Sequence, residues 1–187
     1  IKNNYKKYGI NIINISIGSD TADCNEEKDE VAAAINNLWN LGICIVVSAG
    51  NSGPGPGTIT FPGTCEKVIT VGSDAILLYS GYKESTVSRS GEGPTKCNIN
   101  KPDLLAPGHN IISCPSRYNG YTVKSGTSMS TPVVSGAIAL YLEKYPNASN
   151  DIIKRNIKLS AADAGFTMNR QGAGLLNVKH FLEQKPL

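Results

Sequence analysis

The chain has 187 residues, of which 40% are hydrophobic and 18% charged, and a formal net charge of +3; this excludes a disordered tail or a fibrous repeat and suits one ordinary domain. Eighteen basic residues against fifteen acidic ones, with the lysines scattered apart from Lys6-Lys7 and no basic stripe with interleaved aromatics, leave no footprint for nucleic acid. No apolar stretch, Ile43 to Val47 included, approaches the roughly 18 residues that span a bilayer, so no membrane partner is expected.

The chain opens on Ile1-Lys2-Asn3-Asn4-Tyr5, without an initiator Met and as if inside a helix, so further sequence is expected upstream. Asn11 to Gly18 reads as a strand rich in β-branched residues and stopped by glycine. Glu26 to Leu41 reads as a helix: Val31, Ile35, Leu38 and Trp39 fall at helical spacing, acidic residues crowd its first turns, and Gly42 ends it. Ile43 to Ser48 follows directly, a continuous apolar run of strand length, as a strand covered on both faces requires. Strand, helix, strand in this order predicts a parallel crossover unit and an α/β fold.

A Gly- and Pro-rich loop spans Ser52 to Gly63, and Lys67 to Gly72 is a short strand. Tyr79 to Asn100 is polar and irregular. Leu104-Leu105-Ala106 and Asn110 to Ser113 flank a Pro107-Gly108 turn, and Tyr121 to Lys124 leads into Ser125-Gly126-Thr127-Ser128. From there a helix runs to about Tyr145. Its body, Val133 to Leu142, is apolar or small nearly all round and is expected to be buried. Pro132 sits near its start, where a missing N–H costs little. Pro146 ends it, Ser149-Asn150-Asp151 caps another helix, and Gly172 to Leu187 holds a turn and a short last helix. No repeat and no second domain is seen, so residues 1–187 read as a portion of one domain.

Cys24, Cys44, Cys65, Cys97 and Cys114 show no CxxC spacing, which argues against a zinc knuckle, and their odd number rules out complete disulfide pairing. A structural role is expected for them, with Cys44 a buried thiol.

Two segments carry chemistry. In Ser125-Gly126-Thr127-Ser128-Met129-Ser130-Thr131-Pro132, Gly126 lets the backbone turn tightly and leaves room for a substrate. Ser128 then falls at the start of a helix, where N–H groups lack partners and the dipole favours negative charge. An anion formed beside Ser128 would be stabilised by the residue's own N–H. In Val47-Ser48-Ala49-Gly50-Asn51-Ser52-Gly53, a buried strand delivers Asn51 into a Gly-rich loop, at the end of a parallel strand where α/β proteins hold ligands. The Asn51 carboxamide can donate a second hydrogen bond to the same anion.

These two motifs, in this order, resemble the subtilisin-like serine proteases, and the resemblance covers nearly the whole chain. It extends to Phe61-Pro62-Gly63, Val68 to Gly72, Lys101 to Gly108 and Gly172 to Asn177. It implies the C-terminal part of a subtilisin-like doubly wound parallel sheet, with the N-terminal part of the domain outside this chain. Ser128 becomes the nucleophile and Asn51 the oxyanion residue of a serine endopeptidase. Ser16, Ile17 and Gly18 become the strand that pairs with an extended substrate. Ser48, Ala49 and Gly50 form the opposite wall of the main specificity pocket. Thr60 lies at its base, where it would narrow the pocket against large aromatic side chains. Gly126 and Thr127 complete the substrate-binding set, Thr127 as a weak oxyanion contact or a support for the turn. An Asn at position 51, where sedolisins carry Asp, implies Ser-His-Asp chemistry near neutral pH.

A serine hydroxyl needs an adjacent base. The family's His and Asp motifs precede the serine, and neither is found here. His109 and His180 are expected to be solvated or packed, and Asp20 and Asp23 stand in the wrong place. The implied partners are therefore a peptide or protein substrate, the N-terminal part of the same catalytic domain carrying Asp and His, and a propeptide. This chain alone is expected to be inactive. The rival readings are a pseudoprotease that binds peptides and an inactive fragment. No metal ligand is assigned. Calcium stays open through Asp103, near which some family members bind a cation, although a turn carboxylate accepting N–H groups explains Asp103 as well. The compartment is not legible; secretion is a family habit only.

Overall fold

A single helical turn, α1 (Tyr5–Tyr8), leads into β1 (Ile12–Ile15) of the computed structural model, which describes residues 1–19, 29–74, 89–116 and 119–186. Next come α2 (Glu30–Asn40), β2 (Cys44–Ser48), β3 (Ile69–Ser73) and β4 (Leu104–Ala106). β1 to β4 form one parallel sheet in chain order. The expected crossover from β1 through α2 to β2 is present, with Ile12 opposite Cys44 and Ile15 opposite Val47. All five residues of β2 are buried, which is why its apolar run does not alternate. An antiparallel hairpin, β5 (Ile111–Ser113) and β6 (Thr122–Lys124), precedes the long helix α3 (Thr127–Lys144). Then follow α4 (Asn150–Leu159), α5 (Met168–Gln171) and α6 (Val178–Glu183). The fold is the α/β parallel sheet that the sequence implied.

Three expectations change. β1 ends at Ile15; beyond Ser16–Gly18, Ser19 exchanges backbone hydrogen bonds with Phe61 at 2.9 and 3.0 Å instead of extending the ladder. α2 starts at Glu30 because Asp29 stays extended and its carboxylate accepts from Val31 N and Ala32 N at 2.8 and 3.0 Å. The predicted start at Glu26, together with Asp20, Asp23, Cys24 and part of the Tyr79–Asn100 segment, lies outside the described residues. Finally, α3 is not buried all round. Val134, Ile138 and Tyr141 face the sheet and the C-terminal helices, but Pro132, Gly136 and Ala139 are exposed and Leu140 is 49% exposed. This uncovered face adjoins β1, the edge strand of the sheet, which is itself only partly buried.

The core is locked by polar bonds as well as by packing. Tyr141 of α3 stacks on Phe181 at 4.4 Å and donates its hydroxyl to Gln184 O, while Asn156 of α4 donates to the same hydroxyl. Asn150 donates to Trp39 O, tying α4 to the end of α2. Burial, and then the charge of Asp151, pushes the Cys44 thiol up to about 12, so it packs as an inert hydrophobe. Cys97 is disulfide-bonded and Cys114 is an exposed thiol.

Asp103 anchors a buried charge cluster that the sequence did not reveal. Its carboxylate accepts from Lys101 Nζ at 2.7 Å and from Thr70 N at 2.8 Å, and Lys154 and Lys158 stand 3.6 and 3.5 Å away. Lys101, almost fully buried, also donates to Val68 O at 2.9 Å. Burial alone would raise the Asp103 carboxyl; the lysines and the Thr70 N–H more than reverse this and hold it below the ordinary carboxylate range. Its contribution to stability is therefore present above that range and lost as pH falls through and below it. Replacing Asp103 with Asn leaves Lys101 buried without a counter-charge. Urea unfolding at neutral pH is expected to show a loss of about 3–5 kcal/mol and a shallower acid limb than the wild type.

Candidate active site

The end of β2 and the start of α3 meet through one side chain. Asn51, three residues beyond β2, has its carboxamide oxygen held by Thr127 N at 3.0 Å and by Thr127 Oγ1 at 3.2 Å. An N–H can only donate, so the atom it meets must be the oxygen, and the Asn51 NH2 group is turned the other way. That NH2 group has no hydrogen-bond partner among the described residues. Neither has the Ser128 N–H, since the first α3 bonds to Gly126 O come from Met129 and Ser130. Two backbone-anchored donors therefore remain open beside Ser128, at the positive end of an 18-residue helix.

Gly126 is the N-cap of α3, with φ of 140°, and no side chain among the described residues caps the helix. A plain capping role for Ser128 is thereby excluded. A Cβ on Gly126 would stand 3.3 Å from Asn51 Oδ1, in backbone geometry that L residues rarely adopt. The turn is held from the other side too. Gly126 N donates to Gly108 O at 2.7 Å, and Asn110 N donates to Ser125 Oγ at 2.8 Å. Gly108 in turn donates to Asp74 Oδ1 at 2.9 Å. Burial raises the Asp74 carboxyl above its ordinary value, with the Gly108 N–H and His109 opposing.

Ser128, half-buried, donates its hydroxyl to Ser16 O at 3.0 Å. This bond joins residues 112 apart in sequence and brings the Ser16–Gly18 segment to the serine. Ser16 is also fixed by Asn14, which donates to Ser16 Oγ and accepts from Ser135 of α3. Ile17 is 74% exposed, and Gly18 is exposed beside it. Across from them, Ser48, Ala49 and Gly50 are buried. Thr60 fills the space between: a Cβ on either Gly18 or Gly50 would collide with its hydroxyl, and Thr60 N donates to Ala49 O at 3.0 Å. The structure thus gathers Ser16, Ile17, Gly18, Ser48, Ala49, Gly50, Asn51, Thr60, Gly126, Thr127 and Ser128 around one slot. It directs the Thr127 hydroxyl to Asn51, a positioning contact whose only sequence signal was its place beside the serine.

The hydroxyl of Ser128 meets no histidine among the described residues. His180 is exposed on α6, and His109 is half-buried near Asp74. Asp103 accepts a backbone N–H as expected, but its other contacts are ammonium groups, so it does not fit a calcium ion. No group of three or more metal-ligating side chains occurs among the described residues.

The model of the subtilase family matches residues 1–174. Serine protease AprX of Bacillus subtilis (strain 168) is 40% identical over 91% of this chain and 42% of its own length. Subtilisin Savinase of Lederbergia lenta is 33% identical over 91% of this chain and 56% of its own length. The chain therefore spans about half the length of these curated relatives. Among solved structures, the self-cleaved protease domain of PatA superposes with a TM-score of 0.76 at 26% identity, over 96% of this chain and 63% of that one.

Thr127→Val removes one of the two bonds to Asn51 and keeps the other. The expected cost is about 1 kcal/mol in urea unfolding, with a crystal structure of the variant showing the Asn51 carboxamide rotated or in two orientations.

Proposed function

The chain belongs to the subtilase family, and on that premise we propose that it supplies the nucleophile, oxyanion donors and specificity slot of a serine endopeptidase. The observation that carries the reading is the pair of open donors, Asn51 Nδ2 and Ser128 N–H, fixed beside the Ser128 hydroxyl by the Asn51–Thr127 bonds. Ser128 Oγ attacks the scissile carbonyl as a histidine takes its proton, and the two donors stabilise the tetrahedral oxyanion. The proton then passes to the leaving amine, and water repeats the sequence on the acyl-enzyme. The Ser16–Gly18 segment, exposed and extended, binds the substrate backbone as an added strand.

The histidine and its orienting aspartate are proposed to lie in a preceding part of the same catalytic domain. Two features support this. β1 is an edge strand with partly exposed Ile12, Ile13 and Ile15, and α3 presents Pro132, Gly136, Ala139 and Leu140 beside it. Apolar surface of that kind calls for a covering segment, and one seated there would lie next to Ser16 and Ser128. In this reading the chain alone is inactive. Thr60, wedged between Gly18 and Gly50, disfavours large aromatic side chains before the scissile bond.

The test is hydrolysis of a peptide library by the full-length protein. Ser128→Ala is expected to abolish turnover. Asn51→Ala is expected to lower kcat by roughly 10²–10³, the magnitude that subtilisin's own oxyanion asparagine carries. Phe before the scissile bond should be cleaved more slowly than Ala. Peptide binding without any hydrolysis would favour a peptide-binding pseudoprotease instead.

A further inference from the structure

Thr60 also lines a cavity of about 160 Å³, together with Ser52, Thr58, Thr64 and Lys96 among others. The cavity adjoins the slot at Thr60. Ser52 directly follows Asn51, and Thr60 lies against both Gly18 and Gly50. A scissile carbonyl held at Ser128 and Asn51 would direct the preceding side chain toward Thr60, and so to the edge of this cavity.

The lining is unusual in its polarity. The Thr58 hydroxyl is spent, donating to Gly55 O at 2.7 Å and accepting from Glu92 N at 3.0 Å. The Thr60 hydroxyl is only loosely engaged with Ala49 O, at 3.5 Å. Ser52 and Thr64 make no side-chain hydrogen bond among the described residues, and the Lys96 ammonium has no ion-pair partner among them. Glu92, four residues before it in the chain, is turned to Arg170 at 3.8 Å and to Gly55 N at 3.4 Å. One uncompensated cation and several idle hydroxyl donors match the acceptor oxygens of a carboxylate.

We propose that Lys96 is a specificity-determining residue, and that this cavity selects substrates with aspartate or glutamate immediately before the scissile bond. The inference rests on the protease reading and names its substrate class. It also complements the role of Thr60, which limits the breadth of the side chain while Lys96 selects its charge.

The test uses full-length protein carrying Ser128→Ala, so that peptides bind without being consumed. Binding is read by fluorescence anisotropy for peptides that differ only before the scissile bond. Glu is expected to bind roughly 5- to 10-fold more tightly than Gln, the range of one charge-assisted contact at a partly exposed site, and Lys most weakly. The Glu-to-Gln gap should shrink at high salt. Lys96→Gln should flatten it, and Lys96→Glu should invert the order of Glu and Lys. A Glu-to-Gln ratio indifferent to both Lys96 substitutions overturns the proposal. The catalytically intact protein separates the two claims. Hydrolysis without charge preference overturns the selectivity alone. Lys96-dependent binding without hydrolysis overturns the catalysis and leaves the selectivity standing. Failure to bind any peptide overturns both.

Discussion

Asn51 and Thr127 share two hydrogen bonds, and most of the site's geometry follows from them. They join the carboxyl end of a fully buried strand, β2, to the first turn of α3. Thr127 begins α3 and Asn51 stands three residues past β2, so the two bonds set the relation of the open Asn51 NH2 group to the open Ser128 N–H. Preorganisation of this kind is what makes hydrogen-bond donors effective toward a charge that develops only during reaction. Local geometry dictates composition nearby. Gly126 must lack a side chain because its φ of 140° is one that L residues rarely adopt, and Gly50 because Thr60 occupies the space.

The surrounding scaffold is tied down at greater depth by charge. Asp103, next to the start of β4, binds the backbone of β3 through Thr70 N, and Lys101 binds the carbonyl of Val68 just before β3. On the other side of the sheet's end, the Pro107-Gly108 turn after β4 holds Gly126. The serine turn is thereby referenced to β2 through Asn51, to β4 through Gly108, and to the segment after β1 through Ser16. A buried ion cluster is weak evidence for stability in itself. Here its geometric consequence is clearer than its energetic one, because it ties β3 to β4, and the turn after β4 holds Gly126.

Much of this was legible in the sequence, for identifiable reasons. The apolar run Ile43–Ser48 could only be a strand covered on both faces, and Ser125–Pro132 with Asn51 carried enough local chemistry to mark the site. What escaped depended on residues distant in the chain. The Thr127 hydroxyl could serve either the turn or an oxyanion until Asn51, 76 residues away, was placed against it. The lysines around Asp103 come from two segments about 50 residues apart, and no local pattern joins them. The uniform apolarity of α3 was read as burial on every face, yet one side is uncovered. A helix whose sequence asks for more contact than the described residues supply fits a domain completed by another segment. Lys96 gave no signal because an exposed lysine in a polar loop looks like any other until a cavity forms beside it.

The central claim is a divided site, with nucleophile and oxyanion donors in this chain and the proton acceptor in a preceding segment. It is tested most directly by the rate at which a fluorophosphonate labels Ser128 in the full-length protein and in residues 1–187 alone, with the modified residue located by mass spectrometry. Rapid labelling at Ser128 is expected in the full-length protein, with a rate that falls as pH drops through the histidine range, and slow labelling without that dependence in the shorter chain. Equal rates in both, or a folded full-length protein that does not label at Ser128, would contradict it.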